Sequence, residues 1–129
     1  MSYNGYTAYK TNQNKTENPR DIEYRLLAQV TSSLMRARAE PEAYGERVKA
    51  ILWNRDVWSA LRVDLSDPEN MLPKQLRASL ISISLWVEKE TRSLLDNTGD
   101  LDAVIDINRN IMAGLKPENH EDSQEPGVS

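Results

Sequence analysis

The chain reads as an all-α protein, a single bundle-like domain of four main helices set between two polar ends. Three observations predict it. Apolar residues recur at spacings of three and four in four successive segments. Helix-starting and helix-stopping residues punctuate those segments where each should begin and end. Nothing alternates with period two over a strand's length. At 129 residues the chain is one ordinary domain, long enough to bury a core. Hydrophobic residues at 39% and charged residues at 28% suit a globular protein with polar ends.

The first segment, 1–18, reads MSYNGYTAYKTNQNKTEN and is expected to be flexible. Tyr3, Tyr6 and Tyr9 recur every third residue, which would align them if the segment became helical on contact. Helix 1 follows, with Asn18 as its cap, Pro19 at the first helical position and Asp21 in the first turn. Ile22, Leu26, Leu27, Val30 and Leu34 give its main stripe, and Tyr24, Ala28, Thr31 and Met35 a weaker one. It should run to about Ala39, where EPEAYGE breaks the pattern.

Helix 2 is predicted over roughly 42–63. Ala50, Ile51, Asn54, Val57, Trp58 and Leu61 share its central face, and Tyr44, Val48, Leu52 and Trp53 spread around the rest. A helix apolar on several sides is usually the central one in a bundle. DLSDPENMLP then reads as a loop, with Asp67-Pro68 as its turn signal. Helix 3 starts at Pro73 and should reach about Asp96, with Leu76, Leu80, Ile83, Val87 and Leu94 facing the core and Trp86 on the flank. Asn97-Thr98-Gly99 stops it, and Asp100 caps helix 4. Gly114 and Pro117 end that helix at about Leu115. The remainder, 116–129, is acidic with one apolar side chain, Val128, and is expected to be disordered.

Several function classes are disfavoured. Cysteine is absent, which removes disulfides and thiolate chemistry, and is compatible with a cytoplasmic location. MSYNGYTAYK has no apolar core of a signal peptide. SLISISLWV, the longest apolar stretch, is broken by serines and is about half of the ~20 residues needed to cross a bilayer. A soluble protein with no membrane contact is expected. Net charge is −4, made of +1 over 1–18, −2 over 19–115 and −3 over 116–129. No basic stripe is present to neutralise phosphates, so direct nucleic-acid binding is not expected.

The only histidine, His120, falls in the acidic tail, away from any rigid pocket. The five glycines are scattered and form no phosphate-binding loop. Asp102 and Asp106 lie one turn apart, but they are better read as complements to the helix 4 N-terminus than as a catalytic pair. No metal cluster or cofactor motif is evident. A non-enzymatic binding protein is the reading.

Two asparagines stand out, because Asn54 and Asn108 each fall at the middle of an apolar stripe. A buried amide is costly unless its hydrogen bonds are met. On packed helices the two could satisfy each other or the nearby backbone and fix helix register. They are therefore expected to be structural polar residues of the core. The alternative is that they line a groove and meet a partner's backbone. Arg55 and Arg109, about 100° round their helices, would sit at the seam edge beside Asp56 or Asp106.

A set of short motifs carries a family resemblance. Pro19-Arg20 with Glu23, Asn54-Arg55 with Trp58, Leu72-Pro73 with Leu76-Arg77, and Ile105-Asp106-Ile107-Asn108-Arg109-Asn110-Ile111 with Gly114-Leu115 occur in this order. Together they resemble the flagellar biosynthesis regulator FlaF family of alphaproteobacteria, over about residues 6–115. Ser79 departs from the asparagine often found there, and the tail beyond Leu115 has no counterpart. The resemblance implies a factor that promotes flagellin synthesis and export, with flagellin as partner and the flagellin repressor FlbT as a possible second. Its most physical form is a flagellin-binding chaperone or adaptor. The alternatives are a post-transcriptional regulator of flagellin messenger RNA acting through FlbT, and a bundle that assembles only with itself.

A client helix needs an apolar strip left over after the core has closed. The candidates are Tyr24 and Met35, with Ala28 and Thr31 between them, and Trp86 on the flank of helix 3. Aromatic residues and Met are favoured at such contacts. Tyr6 and Tyr9 are candidate contacts from the N-terminal segment, which could cover the strip when no client is present.

Overall fold

The computed structural model describes residues 19–115, and among them it has four helices and no strand. They are α1 (Pro19–Ala39), α2 (Tyr44–Ser66), α3 (Lys74–Leu95) and α4 (Leu101–Leu115). This is the all-α arrangement that the periodicity predicts. The expectations for 1–18 and 116–129, including Tyr6, Tyr9, the Asn18 cap and His120, lie outside the described residues.

Local chemistry explains most of the helix ends. α1 carries Asp21 in its first turn and Arg36 and Arg38 in its last, each favoured by the helix dipole. α2 extends three residues beyond the predicted end. Its C-cap Asp67 is extended, with ψ 129°, because the ring of Pro68 disfavours a helical conformation one residue earlier. Leu65 is buried and anchors the added turn. The loop therefore begins at Asp67 and not at Asp64.

The α3–α4 junction is tightly built. Asn97 takes a left-handed conformation, φ 62°, and its N–H donates to the Leu94 carbonyl at 3.0 Å. The Thr98 N–H donates to the Ser93 carbonyl at 2.8 Å, which completes a Schellman closure with asparagine in the place glycine usually takes. Gly99 follows because nothing larger fits. A Cβ there would lie 2.8 Å from the Glu90 carboxylate and 2.9 Å from the Leu94 backbone nitrogen. Asp100 then caps α4, accepting from the Ala103 N–H at 3.3 Å, while its own N–H donates to Glu90 at 2.7 Å.

α1 packs between α2 and α4, and α2 packs between α1 and α3. The α3–α4 contact that would close the ring is the sparsest. The chain runs up α1, down α2, up α3 and down α4, so the start of α1 and the end of α4 share the lower end. The core has two parts. The upper cluster joins Leu34, Ala37, Ala50, Ile51, Leu94, Leu101, Val104 and Ile105 from all four helices. The lower cluster, Leu27, Val30, Val57, Trp58 and Val87, is rimmed by partly buried residues that include Leu26, Leu61, Ile83, Ile107 and Ile111.

Two expectations about the core change. Leu76 is 44% exposed, and Leu80 and Ile83 are only partly buried, although all three lie on the predicted core face of α3. The cause is the open seam, since the lower half of α3 has α2 on one side and little of α4 on the other. The all-round apolar character of α2 also overstates its burial, because Tyr44 and Trp53 remain exposed.

Candidate functional site

Asn108 sits at the boundary between the two core clusters and is completely buried. Trp58 fixes its orientation: the indole N–H can only donate, and it donates to Asn108 Oδ1 at 2.9 Å. The amide nitrogen then donates to Asn54 Oδ1 at 2.8 Å and to Thr31 Oγ1 at 3.0 Å. One amide thus ties α1, α2 and α4 together across a polar layer. Asn54 and Asn108 do meet, and a fully buried amide is tolerated at Asn108 because both of its ends are bonded. Thr31 and Trp58 complete the layer, and neither role is visible in periodicity. Thr31 lay on the weaker stripe of α1 and Trp58 among the apolar core, so only their hydrogen-bonding atoms give a signal.

The weaker stripe of α1 does not disappear into the core. Ala28, Thr31, Ser32, Met35, Arg36 and Ala39 form one wall of a shallow groove, with Arg109 and Met112 of α4 opposite. Its volume is about 460 Å³. Met35 is 37% exposed at its side. Tyr24, one turn before Ala28 on the same face of α1, is partly buried and continues the strip downward. Arg36 and Arg109 give the groove a cationic rim over an apolar floor. Sequence reasoning places Arg109 at a seam edge, without joining it to α1.

Trp86 lies elsewhere. It is 36% exposed and sits one turn before Glu90, whose carboxylate reaches the start of α4. That register puts it on the side of α3 that turns toward α4, across α4 from the groove. Tyr24 and Met35 therefore share one side of α1, with only Met35 lining the groove, and Trp86 stands on a different helix.

The acidic and basic residues serve the frame. Asp102 accepts from Arg38 at 2.8 Å and clamps α1 to α4, which leaves no free pair with the exposed Asp106. Arg62 reaches Glu88 at 2.8 Å and joins α2 to α3. Arg55 pairs with its neighbour Asp56 at 3.2 Å. Among the described residues no group of three or more His, Cys, Asp or Glu side chains could hold a metal ion. No described helix is long and apolar enough to cross a membrane.

Fold and surface define a small all-α protein with a buried polar layer of Thr31, Asn54, Trp58 and Asn108 and an apolar cleft between two helices. Residues 6–115 match the family model of the flagellar protein FlaF, and the chain belongs to that family. The match takes in Tyr6 and Tyr9 as well as all four helices, and it stops where α4 ends. No curated protein and no solved structure matches the chain.

Proposed function

We propose that this protein is a non-enzymatic, cytoplasmic factor of flagellum biogenesis that binds flagellin directly and promotes its synthesis and export as a chaperone or adaptor. The groove between α1 and α4 is the observation that carries this reading. It offers an apolar floor between Met35 and Met112, small residues that let a helix approach closely, and arginines at the edge. That surface suits an amphipathic client helix with apolar anchors three and four residues apart and acidic residues at its margin. Membership of a flagellar family and the resemblance described above make flagellin the client of choice.

Co-purification from cells with the full chain as bait tests the proposal. Wild type should retain flagellin, and Met35→Asp should lose it with little change in melting temperature, because Met35 is already partly exposed. Tyr24→Ala should weaken retention, and Trp86→Ala, on the other side of α4, should not. Retention of FlbT without flagellin would favour control of flagellin messenger RNA translation through that repressor. Self-association alone would leave the groove without a client and the proposal without support.

A further inference from the structure

The α1–α4 groove is not uniform along its length. Two contacts set the register of the helices that form it: Thr31 meets Asn108, and Arg38 meets Asp102. In that antiparallel register Met112 faces Ala28 at the lower end, and Arg109 stands level with Thr31 and Ser32. Arg36 comes from one turn higher on α1, but its guanidinium folds back and donates to Ser32 Oγ at 3.4 Å. Both guanidinium groups therefore approach the level of Ser32, one from each bank. Apolar surface lies about one turn below this cationic waist, at Ala28 and Met112, and about one turn above it, between Met35 and Ala39.

The waist is not neutralised from within. Arg38, Arg55 and Arg62 each meet a carboxylate, at 2.8, 3.2 and 2.8 Å. Arg36 and Arg109 are exposed and have no carboxylate partner among the described residues. Glu40 and Asp106, the closest acidic residues along each helix, do not line the groove. Ser32 Oγ accepts from Arg36 and keeps its own O–H to donate. Two guanidinium groups and a hydroxyl donor thus face one stretch of an apolar-floored groove, in a domain whose net charge is negative.

We propose that this waist is a carboxylate-binding subsite. The groove then selects a helix that carries Asp or Glu at the level of Ser32, with apolar residues three or four positions before and after it. That spacing sets all three on one face of the client, with the anchors about 5 Å to either side of the acid. The lower anchor rests on Ala28 and Met112, and the upper one between Met35 and Ala39. Guanidinium–carboxylate hydrogen bonds are stronger than neutral ones, and a client lysine at the same level would meet like charge. The subsite therefore sets specificity as well as affinity.

The proposal rests on the groove being a client-helix site, and purified full-length protein with synthetic helical peptides tests it. The peptides carry leucines four positions before and after a central Glu, Gln or Lys. Wild type should bind the Glu peptide about tenfold tighter than the Gln peptide, the difference a charge-assisted hydrogen bond makes, and the Lys peptide more weakly still. The gap should shrink as salt is raised. Arg36→Glu with Arg109→Glu should invert the order while melting like wild type, since both side chains are exposed. Absence of binding by every peptide, equal binding of the Glu and Gln peptides, or an order unchanged in the double variant would overturn the proposal. Purified flagellin, measured on the same proteins, separates the subsite from the identity of the client. Failure of wild type to bind flagellin while it prefers the Glu peptide would reject flagellin as the client and support the subsite. Equal binding of flagellin by wild type and the double variant would keep flagellin as the client and reject the subsite.

Discussion

Asn108 shows how much one side chain can hold. Its amide has three bonded neighbours, and one of them, Trp58, tolerates only an acceptor. Asn108→Asp keeps that acceptor but loses the nitrogen that donates to Asn54 and Thr31, and it sets a carboxylate against Asn54 Oδ1. Leaving a buried charge without a partner costs roughly 3–5 kcal/mol. The same burial raises the folded-state pKa of the new carboxyl above its unfolded value. The variant therefore loses stability as pH rises above the unfolded carboxyl's pKa, and its melting temperature relative to wild type should be higher near pH 4 than at pH 7. Thermal melts of both proteins at the two pH values check the sign. The Asn54–Asn108 pairing was legible because both fall at stripe centres. The contributions of Thr31 and Trp58 were not, since a helical wheel gives a direction and no hydrogen-bond partner. Leucines divide by the same logic. Leu34→Ala, fully buried in the upper cluster, should cost about 2–5 kcal/mol by denaturant titration. Leu80→Ala, expected from sequence to be as severe, should cost less than half of that because its side chain is only partly covered.

Helix ends were read well where a side chain makes the stop and poorly where packing does. Asn97-Thr98-Gly99-Asp100 names its own structure: a left-handed asparagine, a tight approach and a cap. Three substitutions separate those roles. Asn97→Gly should be neutral or slightly stabilising, since glycine adopts φ 62° without strain. Asp100→Ala should cost about 1 kcal/mol as a lost N-cap. Gly99→Ala should cost more than Asp100→Ala, because its Cβ would meet the Leu94 backbone at 2.9 Å, and a backbone atom cannot move aside as a side-chain tip can. Equal melting temperatures for Gly99→Ala and wild type would show that the loop relaxes away from α3. The end of α2 is the opposite case. Asp64 and Ser66 look like loop residues, yet Leu65 between them docks into the bundle and carries the helix to Ser66, with Asp67 before Pro68 as its extended cap.

Which helix faces lie beside one another belongs to the whole bundle, and periodicity along each helix does not contain it. The stripe through Tyr24, Ala28, Thr31 and Met35 and the flank holding Trp86 were both legible as apolar surface. Their separation by α4 was not, because it depends on the ring order α4, α1, α2, α3. That order also makes Thr31 a shared residue. Its hydroxyl holds Asn108 in the polar layer, and its side chain lines the α1–α4 groove. A helix seated in the groove would cover Ala28 and Met35 and bridge α1 to α4, so binding should stabilise the bundle as well as the client. A ligand that binds only the folded state adds about 2.7 kcal/mol of stability at one hundred times its Kd. A peptide from a helical terminus of flagellin should therefore raise the melting temperature of the wild-type protein in a concentration-dependent way. Two variants distinguish the groove from the layer beneath it. Met35→Asp should melt like wild type without peptide and show no rise with it. Thr31→Val should melt lower without peptide, because the Asn108 amide loses an acceptor, and should still rise when peptide is added. A rise that survives Met35→Asp would place the client elsewhere on the bundle and leave the polar layer with a structural role alone.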